Sequence, residues 1–186
     1  MKNGADLIND VSGGRFDERM FDIVAENMVP YALMHSRGTP QNMQTLTEYS
    51  NLLEEICAEL QVQIDLLLKR GYPRWGIIVD PGLGFAKTLN QNFEIIRNLD
   101  AIKKRFKMPL LAGYSHKSFL SKNFTLINSL FYFTLGNTIG KEYTSIGNHV
   151  LAGICVEKGA DIIRYHDPDD ERAIALANLI HRNRYP

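Results

Sequence analysis

The 186-residue sequence holds only 2 cysteines, Cys57 and Cys155. They lie far apart in helical-looking segments and have no metal spacing, so two small buried thiols are expected, not a disulfide scaffold or a zinc centre. No run approaches the ~20 apolar residues of a membrane-spanning helix. A charge excess of either sign is missing as well. Lys plus Arg and Asp plus Glu both number 21, so no overall field recruits nucleic acid or an anionic membrane. Any anion site must be a local cluster. The opening Met1-Lys2-Asn3-Gly4-Ala5-Asp6 lacks the apolar region of a secretory signal. A soluble protein, cytoplasmic or mitochondrial if eukaryotic, is the expectation. Also absent are a G-x-x-x-x-G-K-[ST] phosphate loop, a dinucleotide fingerprint, a serine nucleophile elbow and paired histidines at zinc spacing.

What is present is alternation. Short apolar runs end or centre on Asp6–Asn9, Val29–Met34, Gly76–Asp80, Met108–Gly113 and Ala160–Tyr165. Each reads as a strand buried on both sides, the pattern of a parallel sheet. Between them, helical periodicity predicts helices over Phe16–Asn27, Leu46–Lys69, Gln91–Lys104, Ser145–Lys158 and Asp169–His181, with Gly71 closing the second. Strand–helix alternation means an α/β fold in a single domain, 1–186. A full (β/α)8 barrel takes about 250 residues. Two architectures therefore fit, a small open α/β domain or a barrel without its first three units.

Polar residues gather where the apolar runs end: Asn9 and Asp10, His35, Asp80, Ser115 to Ser118, then Arg164, His166 and Asp167. Parallel α/β folds bind ligands at the carboxyl ends of their strands. Asp80, before Pro81-Gly82-Leu83-Gly84-Phe85, suits ligand contact or turn capping equally well. The glycines and an exposed Phe85 suggest a mobile loop beside a flat ligand. Lys117 in a loop is most simply a solvated cation. Arg164 and His166 alternate on one strand, so they point together and suggest an anion. His149 and His181 read as structural or surface residues on helices.

Five motifs stand in the order found in dihydropteroate synthases. They are Ile8-Asn9-Asp10-Val11-Ser12, Met34-His35-Ser36-Arg37-Gly38-Thr39-Pro40, Asp80-Pro81-Gly82-Leu83-Gly84-Phe85-Ala86-Lys87, Gly113-Tyr114-Ser115-His116-Lys117-Ser118-Phe119 and Ile163-Arg164-Tyr165-His166-Asp167. The chain resembles that family over nearly its whole length. Ala86 stands where the family usually has glycine, His116 where it has arginine and Pro168 where valine is common. Asn123–Lys141 matches nothing in the pattern.

The resemblance implies a TIM-type (β/α)8 barrel, here a partial barrel covering about strands 4 to 8. It implies the joining of 6-hydroxymethyl-7,8-dihydropterin pyrophosphate to p-aminobenzoate with release of pyrophosphate, a step of folate biosynthesis and a sulfonamide target. Asn9, Met34, Asp80, Gly113 and Lys117 resemble the pterin-binding residues, with Asp80 and Lys117 catalytic. Arg164 and His166 resemble the pyrophosphate pair, and Phe85 and Ser118 the p-aminobenzoate side. Mg²⁺ is implied as cofactor, carried on the substrate's phosphates with its protein ligand outside this chain. A homodimer, and fusion behind a pterin pyrophosphokinase, are also implied. Two other readings remain open. One is an inactive pterin-binding fragment; on either reading a barrel without its first three units exposes strand edges, so the isolated chain is expected to be poorly soluble or molten. The other is a pterin-dependent methyltransferase, against which the Ser-x-Lys-Ser and Arg-x-His-Asp motifs argue.

Overall fold

Each apolar run condenses to a short strand in the computed structural model, which describes residues 4–114 and 138–165. The strands are β1 (Ile8–Asp10), β2 (Tyr31–Met34), β3 (Ile77–Asp80), β4 (Leu111–Ala112) and β5 (Ile162–Ile163). Every pairing among them is parallel. The order β1-β2-β3 continues through a Val79–Leu110 bridge into β4-β5. Spatial order thus follows chain order without reversal, as in a barrel wound in one sense. A doubly wound sheet would reverse at a switch point. The fold is α/β, a partial TIM-type barrel.

The helices are α1 (Met20–Asn27), α2 (Leu52–Lys69), α3 (Leu89–Arg97), α4 (Leu99–Phe106) and α5 (Thr138–Glu157). Local chemistry explains where they differ from the sequence expectation. The second helix begins at Leu52 and not at Leu46, because the Asn51 side chain caps it by accepting from the Glu54 amide. Glu55 Oε1 also accepts from the Ser50 and Asn51 amides. At its other end Gly71 adopts φ +77°, and the Gly71 and Tyr72 amides return to Leu68 and Leu67 carbonyls. That is a Schellman closure, and glycine meets its left-handed requirement without a steric penalty. The stripe Leu52, Ile56, Leu60, Ile64 and Leu67 is buried, each side chain contributing roughly 1.5–3 kcal/mol.

The single helix expected over Gln91–Lys104 is two. A Thr88–Gln91 capping box starts α3, and the Asn98 side-chain amide donates to Glu94 O at 2.8 Å. Such local bonding competes with the backbone ladder and breaks it there. α1 starts at Met20, after a turn in which the Arg19 amide donates to Asp17 Oδ1. α5 starts earlier than expected, at Thr138. The helix expected over 169–181 lies outside the described residues, as does most of the unmatched 123–141 stretch.

The strands alternate between two faces. One face carries Tyr31, Leu33, Ile77, Val79, Leu110 and Ala112 into a core shared with the helices. The other carries Ala32, Ile78 and Leu111, with Ile162 packed against them. This second, smaller face positions the site. Cys57 and Cys155 are buried free thiols, as expected. Burial pushes the Cys155 thiol up to about 12. Among the described residues no helix is long and apolar enough to cross a membrane.

Candidate active site

The strand register decides which polar residues can act together. Asn9 stands opposite Ala32, and Met34 opposite Asp80. Because Val79 bridges Leu110 and Leu111 pairs with Ile162, the same side of the sheet continues to Leu111 and Ile162. Two residues further on lie Gly113 and Arg164, which follow β4 and β5 on that same side. A Cβ built on Gly113 would meet Arg164 Cβ at 3.7 Å. Asn9, Met34, Asp80, Gly113 and Arg164 therefore share one face, at or near the carboxyl ends of the five described strands. Asn9 is exposed on it, Arg164 half-buried, and Met34, Asp80 and Gly113 are buried.

Asp10 follows Asn9 but belongs to the opposite face. Its Oδ2 accepts from the Tyr31 hydroxyl at 2.6 Å and from the Gly14 amide at 2.7 Å, while Oδ1 accepts from Ser12 N at 2.8 Å. Burial opposes its charge, yet these bonds together hold the carboxyl below its ordinary range. Of the two polar residues ending the first run, one faces the site and the other braces the loop.

Asp80 does cap its turn, since Oδ1 accepts from the Gly82 amide at 2.8 Å. Its carbonyl accepts from His35 N at 2.9 Å, joining the ends of β2 and β3. Gly82 has φ +70°, and any Cβ there would collide with the His35 carbonyl. Only glycine fits that close approach.

Phe85 is not exposed, contrary to expectation, and the loop after Asp80 is tied to its surroundings at several points. Phe85 is half-buried. The Gly84 amide donates to Asn92 Oδ1 at 2.6 Å, Phe85 N to Gly82 O at 3.1 Å, and Tyr49 Oη to Ala86 O at 3.0 Å. Ala86 sits at φ +48°, a left-handed position that explains why glycine is usual there.

Behind this loop is a cluster that sequence reading missed. The buried Lys87 amine lies 2.9 Å from His35 Nδ1 and donates to Phe85 O at 2.9 Å. His35 Nε2 lies 3.1 Å from Glu59 Oε2, and Arg37 bonds both Glu59 and Glu55 while stacking on Tyr49. Burial pulls Lys87 down to about 7, although Asp80 and Glu59 pull the other way. Burial, then the Lys87 charge, lowers His35 to about 4. Burial would raise Glu59, but His35 and Arg37 hold it down at about 2. The available signal was Glu55 and Glu59, acids at i and i+4 on one helix face. Their neighbour across space could not be read from spacing.

Lys117, Ser118 and His166 lie outside the described residues. Among the described residues no group of three or more His, Cys, Asp or Glu side chains is arranged to hold a metal ion. The described residues thus offer no protein cage for Mg²⁺.

A pterin-binding enzyme family model matches residues 1–166. The chain belongs to the pterin-binding enzyme family. Folic acid synthesis protein fol1 of Pneumocystis carinii is 41% identical over 172 residues, covering 90% of this chain and 22% of that protein. A dihydropteroate synthase of Synechocystis is 38% identical over 167 residues, covering 90% of this chain and 53% of its own length. The crystal structure of Yersinia pestis dihydropteroate synthase with a sulfonamide drug superposes with a TM-score of 0.83 at 29% identity. That match covers 98% of this chain and 61% of the other. The chain thus spans between about a fifth and about half of these two curated relatives. The likeness to dihydropteroate synthases drawn from five short motifs holds across the family match and the three-dimensional fold.

Proposed function

We propose that this chain carries the pterin-binding half of a dihydropteroate synthase site. It would serve the condensation of 6-hydroxymethyl-7,8-dihydropterin pyrophosphate with p-aminobenzoate. The observation that carries the reading is the register: Asn9, Met34, Asp80, Gly113 and Arg164 lie on one face of the sheet.

The chemistry follows from donors and acceptors. The pterin edge presents N–H donors, which the Asp80 carboxylate and Asn9 amide oxygen accept. Met34 and Gly113 supply an apolar wall and a backbone close enough for a flat ring. Lys117 donates to the pterin carbonyl. Arg164 and His166 neutralise the leaving pyrophosphate, and Phe85 and Ser118 line the arene's side. The arylamine nitrogen forms a bond to the pterin methylene carbon as the carbon–oxygen bond to pyrophosphate breaks. The nitrogen then loses a proton. No protein nucleophile is needed, so the residues act by positioning and by stabilising leaving-group charge. Mg²⁺ would ride on the substrate phosphates, as this hard cation commonly does. The proposed assembly is a homodimer in the cytoplasm, or in mitochondria of a eukaryotic source.

The test is dihydropteroate formation from both substrates with Mg²⁺, by the chain and by its Lys117→Ala and Arg164→Ala variants. Turnover that both variants lose supports the reading. Pterin binding without turnover, even in a polypeptide extended to the length of its relatives, would replace it with an inactive pterin-binding module.

A further inference from the structure

A fully buried amine is costly unless something repays its desolvation. Among the described residues Lys87 makes no direct bond to a carboxylate. Its Nζ reaches His35 Nδ1 at 2.9 Å and the Phe85 carbonyl at 2.9 Å. Because the amine donates, His35 Nδ1 must be the bare nitrogen. The ring proton then sits on Nε2 and is donated to Glu59 Oε2, 3.1 Å away. One tautomer of His35 satisfies both neighbours.

The chain of contacts returns on itself. Glu59 accepts from Arg37 Nε at 2.9 Å. Arg37 lies 3.9 Å over the Tyr49 ring, and Tyr49 Oη donates to Ala86 O at 3.0 Å. Residues from the end of β2, from α2 and from the segment between them thus close a ring on Phe85, Ala86 and Lys87. An apolar side chain of similar length would fill the space more cheaply. What only the amine supplies is two directed donors, one to the end of β2 and one to the turn after β3.

We propose that Lys87 is a positioning residue: through His35 and the Phe85 carbonyl it sets the Asp80–Phe85 turn on which the pterin and arene sites both depend. The inference rests on the reading of Asp80 and Phe85 as ligand-facing. The groups facing Lys87 are His35, Asp80, Glu59, Arg37 and Arg15. Asp80 is the ligand-facing one, so a change in Lys87 charge is felt where the pterin binds.

The experiment compares the chain with Lys87→Met, His35→Phe and the double variant. The first readout is amide hydrogen exchange in residues 82–85, where Gly82, Gly84 and Phe85 N–H groups are bonded. The second is affinity for the pterin pyrophosphate across pH. Lys87→Met should speed exchange in that turn about tenfold while leaving α2 unchanged, because the turn alone loses its tether. The double variant should exchange no faster than the worse single one, as expected of groups acting as one unit. The pH dependence of that affinity near neutral pH should differ between the wild type and Lys87→Met, over and above the titration of the pyrophosphate that both share. Lys87→Arg, which keeps the donors, should restore slow exchange and covers the case in which methionine misfolds. Unchanged exchange in a folded Lys87→Met chain, or additive effects in the double variant, would overturn the proposal. If no variant binds pterin, the function reading fails while the exchange result still decides this one.

Discussion

Tyr31 Oη donates to Asp10 Oδ2 across the first two strands at 2.6 Å, and this bond commits Asp10 to the fold. Its consequence is measurable. Asp10 is held below the ordinary carboxylate range in the folded chain. Its contribution is therefore present above that range and is lost as pH falls through the folded value. Tyr31→Phe should cost about 1–3 kcal/mol in denaturant unfolding near neutral pH, because it leaves a buried acceptor short of a donor. The loss should shrink in acid. A cost that does not vary with pH would contradict the assignment.

His35 makes a second pH prediction. Burial and the nearby Lys87 charge lower it from 6.5 to about 4. Folded His35 stays neutral where the unfolded chain takes up a proton. Stability should fall as pH drops from 6.5 through 4, by on the order of 3 kcal/mol. His35→Asn removes the titrating group, so its stability should decline less over the same interval. Parallel declines for both proteins would show that His35 is not neutral in the fold.

Lys107 ends α4 at φ +53° and is exposed, its N–H returning to Lys103 O at 2.9 Å. A left-handed lysine carries a steric cost that glycine avoids. Lys107→Gly should stabilise the chain by roughly 0.5–1 kcal/mol in thermal or denaturant melts. A loss of stability would mean that the side chain does more there than its exposure suggests.

Much of this architecture was legible because it depends on local pattern. Short continuous apolar runs located all five described strands, and period-3.6 spacing located most helices. Gly71 marked the end of α2 by its need for a positive φ. The break at Asn98 was not legible, since it depends on a side chain returning to Glu94 O. Alternation puts Asn9 and Asp10 on opposite faces, and the resemblance singled out Asn9, but spacing alone did not say which face holds the site. Both end the first run, and the pairing of β1 with β2 shows that Asn9 shares the face of Ala32 and Asp10 that of Leu33. The Lys87–His35–Glu59 cluster was hidden for a similar reason, being assembled from three segments far apart in sequence.

The central claim is that the face carrying Asn9 and Asp80 holds the pterin, and calorimetric titration with the pterin pyrophosphate tests it most directly. The chain should bind one equivalent. Asp80→Asn keeps an oxygen for the Gly82 amide but loses the charge, and should weaken binding about tenfold to 100-fold, as expected for a charged hydrogen bond. Asn9→Ala, at an exposed position, should weaken binding with no loss of stability. Wild-type affinity in both variants, with folding intact, would place the pterin elsewhere and contradict the account.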